Sequence, residues 1–317
     1  MTDKTNPVML PADAHGIAEA AARLEAGEVV ALPTETVYGL AARADRDESV
    51  AQIYRTKGRP DFNPLIVHVL SIDAAAKLAR IDARARKLAH AFWPGPLTLV
   101  LPLQPDAALA QAVTAGLPTV ALRCPAHPVM RAVLESTGLA LAAPSANRSG
   151  GVSPSCADHV VSSLGAAVPL VLDGGPARTG IESTIVALRD KGWTVLRPGP
   201  VTEAQITEIL EQYPDAVTSQ AGDRIEAPGQ LASHYAPGKP VRLSAPTADD
   251  DEFHIGFAAV PGHVSLSATG DLAEAASRLY TCLHQAAAAA QPRIAVAPLP
   301  DTGIGTAIND RLRRAAA

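Results

Sequence analysis

Cysteine is scarce in this 317-residue chain: Cys124, Cys156 and Cys282 are odd in number and far apart. Those spacings exclude a disulfide framework and a C-x-x-C metal or redox site. Aromatic residues make up only 3%. The cores must therefore be built from Ala, Val, Leu and Ile, and platforms for stacking nucleic-acid bases are in short supply. No apolar run reaches the roughly 18 uninterrupted residues of a membrane span, and residues 1–6 carry no apolar stretch after their charge, as a signal peptide would. A basic surplus is missing too. The net charge of -5 argues against a whole-surface footprint for nucleic acid and leaves room only for a local basic cleft. Together these absences predict a cytoplasmic protein with no membrane segment. What remains, 47% hydrophobic and 19% charged residues, suits a globular chain long enough for two domains.

The stretch richest in chemistry is Lys57-Gly58-Arg59-Pro60-Asp61-Phe62-Asn63-Pro64-Leu65-Ile66-Val67-His68. Two cations one residue apart sit in a Pro- and Gly-punctuated loop that runs into an apolar strand. Lys offers a compact charge with three donors, and Arg a planar fork that matches phosphate oxygens. The prolines restrict the loop, so less entropy is lost when a ligand orders it. A solvated basic loop is the plainer alternative, and the rest of the chain decides between them.

Upstream, Asp13 is placed to cap a helix whose Ile17, Ala20, Ala21 and Leu24 share one face, with Gly27 as its stop. Residues 29–32 read as a short strand, after which Thr34, Thr36 and Tyr38 alternate. Side chains on one face of a strand end do this and often meet ligands; turn chemistry gives the same pattern. Residues 65–69 are apolar except for His68, which reads as a satisfied core residue or a ligand contact. Trp93-Pro94-Gly95-Pro96 breaks the helical stretches of 73–92, and residues 97–101 form the next strand. Thr119-Val120-Ala121-Leu122-Arg123 alternates, placing Thr119 and Arg123 on one face. A strand at 139–143 runs into residues 144–154, dense in hydroxyl, amide and backbone N–H groups, with a helix resuming near Ala157. Such a strand–loop–helix unit can bind an anion, although it is not a Walker loop. Residues 183–186 and 194–197 are further strands, the second ending in Arg197 beside Pro198. Thr202 and Gln205 form a capping-box signal.

Residues 214–240 have little periodicity and read as a linker. Strands near 254–258 and 264–267, a helix near 273–290, a strand at 293–297 and a helix near 304–313 follow. That order suggests a small three-layer α/β domain. The expected organisation is thus 1–213, a linker or lid at 214–240, and 241–317.

In their order along the chain, several motifs resemble one family. They are Pro33-Thr34-Glu35-Thr36-Val37-Tyr38-Gly39-Leu40, Lys57-Gly58-Arg59-Pro60 with Asn63-Pro64-Leu65-Ile66-Val67-His68, and Trp93-Pro94-Gly95-Pro96-Leu97-Thr98. Ala143-Pro144-Ser145-Ala146-Asn147, Ser183-Thr184-Ile185-Val186 and Arg197-Pro198-Gly199 continue the match. The family is that of the YrdC-like L-threonylcarbamoyladenylate synthases. His234-Tyr235-Ala236-Pro237 and the tail resemble its two-domain long form, and Gln230 departs from it where long-form members commonly have Met.

The resemblance implies an α/β fold: a twisted, mostly mixed YrdC-like sheet around a deep positive cavity, with a small C-terminal Rossmann-like domain. It implies an enzyme joining L-threonine, bicarbonate or CO2, and ATP into threonylcarbamoyl-AMP and pyrophosphate, with Mg2+ accompanying ATP and no protein metal site. The product would pass to a separate transferase that modifies tRNA, and direct RNA contact is left open. By the same resemblance Lys57, Arg59 and Arg197 would clamp phosphate, with Asp61, Thr119, Ala143, Ser145, Asn147, Ser153 and Tyr235 also on the nucleotide. Arg123 would take the threonine carboxylate, with Thr34, Tyr38, His68 and Ser183 around the amino acid. Lys57, Arg59 and His68 would be the catalytic set, His68 orienting substrate rather than acting as a base. A tether of this length is either an inert spacer or a lid that folds over the cavity, bringing Tyr235 or Ser233 to the nucleotide. Two other readings compete. An RNA-binding protein without catalysis suits a basic cleft but not the acidic balance. A carbamoyltransferase of the hydrogenase-maturation type would need paired C-x-x-C motifs and an acylphosphatase-like region, and neither is present.

Overall fold

The computed structural model describes residues 7–190, 192–215, 225–230 and 234–317. Ten strands form one sheet: β1 (Val8–Pro11), β2 (Val30–Leu32), β3 (Gly39–Arg43), β4 (Ile66–His68), β5 (Leu97–Pro102), β6 (Thr119–Arg123), β7 (Leu141–Ala142), β8 (Leu170–Asp173), β9 (Thr184–Leu188) and β10 (Trp193–Arg197). Their order is β1-β8-β2-β3-β7-β4-β6-β5-β9-β10. The sheet is mixed, as expected: β4–β6 and β5–β9 are parallel, while β5–β6, β4–β7 and β9–β10 are antiparallel.

Helices α1 (Ala14–Ala26), α2 (Asp47–Lys57), α3 (Ile72–Ala76), α4 (Ala83–Phe92), α5 (Gln111–Thr114), α6 (Pro128–Thr137), α7 (Ala157–Leu164) and α8 (Glu203–Leu210) accompany this sheet. Local chemistry explains their ends. Asp13 accepts the Gly16 N–H at 2.9 Å, and Gly27 closes α1 in the left-handed region at φ 95. Thr202 and Gln205 make the full capping box at the start of α8.

The second sheet is wholly parallel, ordered β11 (Val241–Arg242), β14 (Arg293–Val296), β12 (Glu252–Gly256) and β13 (Val264–Ser265). Helices α9 (Leu272–Ala288) and α10 (Ile304–Ala315) pack on it and on each other. Its core also takes in Val37, Val152 and Ile181 from the larger unit, so the two units share apolar contact. Gly180 shows how close they come. A Cβ there would lie 2.4 Å from the Ser277 Cα, and its φ of +73 already favours glycine.

Three local expectations differ from the structure. β1 and β11 are short strands with partly exposed residues, too brief to leave a period-2 signal. The strand expected at 139–143 narrows to Leu141–Ala142. Residues 33–38 are not a strand end: Thr34 Oγ1 accepts the Thr36 and Val37 N–H groups at 3.2 Å and donates to the Val37 carbonyl at 2.6 Å. That is a side-chain-closed turn, and it redirects the three side chains.

Candidate functional site

Sheet register builds the site. His68 pairs with Arg123, and Arg123 pairs with Thr98, so three polar side chains lie side by side on one face. The next row on that face, Ile66, Ala121 and Val100, is apolar and packs with Ile185, Ala187 and the linker residue Ala227. A cavity opens where the polar row meets the loops. Thr34, Arg59, His68, Arg123, Ala143, Ser145, Ser183, Arg197 and Tyr235, all expected at the site, line it. Its internal free volume is about 50 Å³, room for a few waters.

Three guanidiniums face this space. Arg59, 9% exposed, donates to the carbonyls of Asn63 at 3.3 Å and Pro64 at 3.0 Å. Arg197, 4% exposed, donates to the Ser183 carbonyl at 3.1 and 2.9 Å and to Ser183 Oγ at 3.1 Å. Both therefore have neutral hydrogen-bond partners only, and burial depresses the pKa of each, with Glu182 partly opposing it at Arg197. Buried cations without a directly bonded counter-ion are costly, and an anion entering the cavity relieves that cost.

Arg123 is different. Its Nη2 pairs with Glu35 Oε1 at 2.5 Å, its Nη1 donates to Thr36 Oγ1 at 2.8 Å and its Nε to the Gly95 carbonyl at 3.2 Å. A guanidinium has five N–H groups, so one remains on each terminal nitrogen to donate to an incoming carboxylate. Burial would raise the Glu35 pKa, but the charge and hydrogen bond of Arg123 and the Ala126 N–H hold it below the usual range. Glu35 thus stays ionised and fixes Arg123.

His68 is 3% exposed, and burial, with Arg123 nearby, pushes its pKa down to about 3. It is neutral at pH 7, and its Nδ1 has no partner among the described residues. Ser183 Oγ lies 2.7 Å from Thr98 Oγ1.

Six expected residues lie off the cavity wall. Lys57 is the last residue of α2, and its ammonium turns inward to the Ser145 and Asn147 carbonyls. There it fastens the 145–147 loop. Asn147 spends its amide N–H groups on the Arg148 and Gly151 carbonyls, both at 2.8 Å. Ser153 donates to Glu182 at 2.6 Å. Asp61 is exposed beside a separate surface depression with Phe62 and Gln111; a carboxylate there repels phosphate. Thr119 shares the face of Arg123 but starts β6 four residues earlier, roughly 13 Å away by strand rise. Tyr38, redirected by the turn, donates to the Gly175 carbonyl at 2.7 Å on the far side.

Thr36 and Glu182 also line the cavity and were missed, although each adjoins a residue singled out from sequence. The Glu182 pKa falls to about 2: burial would raise it, and Arg311 and Arg197 overcome that.

The linker supplies a cover. Pro228, Gly229, His234 and Tyr235 close one side of the cavity. Gly229 has φ +85, and a Cβ there would stand 2.8 Å from Arg197 Cδ, so glycine is required by both conformation and contact. Gln230, the departure noted from sequence, accepts the Glu226 and Ala227 N–H groups at 2.7 and 3.0 Å, folding the cover on itself. Ser233 lies outside the described residues.

Comparison with known proteins settles the family. Residues 22–199 match the Sua5_yciO_yrdC family model, described as telomere recombination, and residues 201–317 match the one described as threonylcarbamoyl-AMP synthase, C-terminal domain. The threonylcarbamoyl-AMP synthase of Bacillus subtilis is 39% identical over 321 residues, covering 95% of this chain and 92% of that protein. The chain belongs to the threonylcarbamoyl-AMP synthase family. Its Pyrococcus abyssi counterpart is 42% identical over 226 residues, covering 70% of this chain and 66% of that protein. A crystal structure of P. abyssi Sua5 complexed with L-threonine superposes with a TM-score of 0.88 at 33% identity, covering 98% of this chain and 96% of that one. HypF, at 18% identity and a TM-score of 0.52, shares the fold alone over 57% of this chain.

Proposed function

We propose that this cavity joins L-threonine, bicarbonate or CO2, and ATP into threonylcarbamoyl-AMP, releasing pyrophosphate, and that the chain is the nucleotidyltransferase step of threonylcarbamoyladenosine formation in tRNA. One observation carries the reading: Arg59 and Arg197, with neutral hydrogen-bond partners only, share a cavity with Arg123, whose charge is already balanced by Glu35. The first two supply net positive charge for a triphosphate. The third supplies an oriented fork for an amino-acid carboxylate.

The chemistry follows from that division. The threonine amine must be unprotonated; its lone pair attacks the carbon of CO2 as a C=O π bond opens, and loss of one N–H proton to water leaves the carbamate anion. A carbamate oxygen then attacks the α-phosphorus of ATP, and the bond to the bridging oxygen breaks to free pyrophosphate. Charge grows on the leaving group, where Arg59 and Arg197 stabilise it. Thr34, Ser183 and neutral His68 orient the amino acid, and Lys57 acts at one remove by holding the 145–147 loop. Holding the reactants in line supplies several kcal/mol on its own.

Among the described residues no group of three or more His, Cys, Asp or Glu side chains is placed to hold a metal, and the cavity-side carboxylates Glu35 and Glu182 each pair with an arginine. Mg2+ therefore fits as a partner of the ATP phosphates and of water, neutralising their charge, rather than as an ion caged by protein. Residues 214–240 serve as a lid between a catalytic unit at 1–213 and a small unit at 241–317. The free volume is far too small for ATP, so Gly229 and Tyr235 must lift for entry and close to keep water from the adenylate. Among the described residues no helix is long and apolar enough to cross a membrane. The product goes to a transferase that consumes an acyl adenylate.

The test is pyrophosphate release from ATP, with threonylcarbamoyl-AMP followed by mass spectrometry. Release that needs both threonine and bicarbonate supports the reading. RNA binding with no such release would replace it with the RNA-binding alternative.

A further inference from the structure

The small unit reaches the wall of the catalytic cavity through Arg311 and Tyr280, both bonded to the cavity residue Glu182. Arg311 of α10 is 0% exposed. Its Nε donates to Glu182 Oε2 at 3.0 Å, and its Nη1 to the Pro198 carbonyl and to Asp310 Oδ2, both at 2.8 Å. Of these acceptors, Glu182 and Pro198 adjoin two cavity residues, Ser183 and Arg197. Arg197 itself donates back to the Ser183 carbonyl at 3.1 and 2.9 Å. Two guanidiniums thus brace the same pair of segments, 182–183 and 197–198, one from each unit.

Glu182 is the element between them. Its Oε1 accepts from Ser153 Oγ at 2.6 Å, and its Oε2 accepts from Tyr280 at 2.7 Å as well as from Arg311. Tyr280 and Arg311 lie 98 and 129 positions downstream. The Arg311 guanidinium also stands 5.5 Å from the ring of Tyr235, the linker residue over the cavity. Glu182 is buried, lines the cavity, and has Arg197 as its other nearby cation.

We propose that Arg311 is a positioning residue: it engages the Glu182 carboxylate in a direct hydrogen bond, so that Arg197, hydrogen-bonded only to Ser183, keeps its remaining N–H groups for the phosphates of ATP. The small unit thereby sets the charge of a site it does not itself form. A buried carboxylate that loses one cation turns to the next. Without Arg311, Glu182 would pair with Arg197 and cancel the positive charge the nucleotide needs. This rests on reading Arg197 as a phosphate ligand.

The experiment measures pyrophosphate release by the full chain, varying ATP and threonine separately, for Arg311→Met, Glu182→Gln/Arg311→Met and Arg197→Met/Arg311→Met. Arg311→Met should lower kcat/KM for ATP about 30-fold, the scale of an unpaired buried charge, and move the threonine KM less than about threefold. Glu182→Gln keeps the shape and removes the charge, so the first double variant should regain at least about tenfold. In the Arg197→Met background the loss of Arg311 should add little. If Arg311→Met does not fold, the charge-free Arg311→Gln and its Glu182→Gln pair are read in the same way. A double variant no better than the single, wild-type ATP use by Arg311→Met, or equal damage to both substrates would overturn the proposal. Absence of threonine-dependent release from the unaltered chain would instead refute the underlying reading of the site.

Discussion

Replacing Arg59 by Met tests the phosphate assignment most sharply. The guanidinium is 9% exposed, and its partners are the Asn63 and Pro64 carbonyls. Losing it removes a charge-assisted hydrogen bond to phosphate, worth about 1.5–3 kcal/mol in the ground state. Against the charge that develops on the leaving group the loss is about 2.7–4 kcal/mol. That range lowers kcat/KM for ATP by roughly 10²–10³-fold. Stability should change little. Two carbonyls lose a donor, but a buried cation without a counter-ion disappears and an apolar chain of similar length replaces it. In the proposed division Arg123, in the middle of the polar row, holds threonine, so the threonine dissociation constant should stay within about twofold. Pyrophosphate release at varied ATP, with calorimetry of threonine binding, gives both numbers. Unchanged ATP use, or a loss of threonine affinity as large as the loss for ATP, would refute the division between the two arginines.

Arg123→Ala should do the reverse, weakening threonine by about 10–100-fold and ATP far less, and adding Glu35→Gln should restore thermal stability lost to the stranded carboxylate. Acidification should destabilise the fold in two windows. His68, folded near 3 against 6.5 unfolded, contributes stability that is complete above pH 6.5 and lost as pH falls below it. Glu182, folded near 2 against 4.5, contributes stability present above pH 4.5 and lost below. The melting temperature of His68→Asn should therefore fall less steeply than the wild type's between pH 7 and pH 5; parallel curves would contradict a neutral buried His68. Gly229→Ala, which forces a side chain into the left-handed region and against Arg197, should speed proteolysis within the linker and lower kcat/KM for ATP; an unchanged cleavage rate would argue against the lid.

Features set by neighbours in sequence were legible before the fold was known. The Asp13 and Gly27 ends of α1, the Thr202–Gln205 box and the Thr119–Arg123 strand each depend on residues within a turn or two of one another. The fate of Lys57 and Arg59 was not legible, because it depends on where α2 stops. Lys57 closes the helix and points back into the domain, Gly58 reverses the chain at φ +61, and Arg59 alone emerges into the cavity. Tyr38 shows the same limit. A strand would have placed it beside Thr34 and Thr36, but one hydroxyl closing a turn sent it elsewhere. The Glu182–Arg311 pair spans 129 positions, and no local pattern marks a partner at that distance. Family resemblance named half of the cavity wall; only the packed structure separated residues that face the cavity from those that hold its wall in place.

The central claim is that a triphosphate and an amino acid lie together between these three guanidiniums. A crystal structure of the full chain with a non-hydrolysable ATP analogue and L-threonine measures that directly. The phosphates should lie within hydrogen-bond distance of Arg59 and Arg197, with the threonine carboxylate on Arg123 beside His68. A nucleotide bound elsewhere, or phosphates contacting neither arginine, would contradict it.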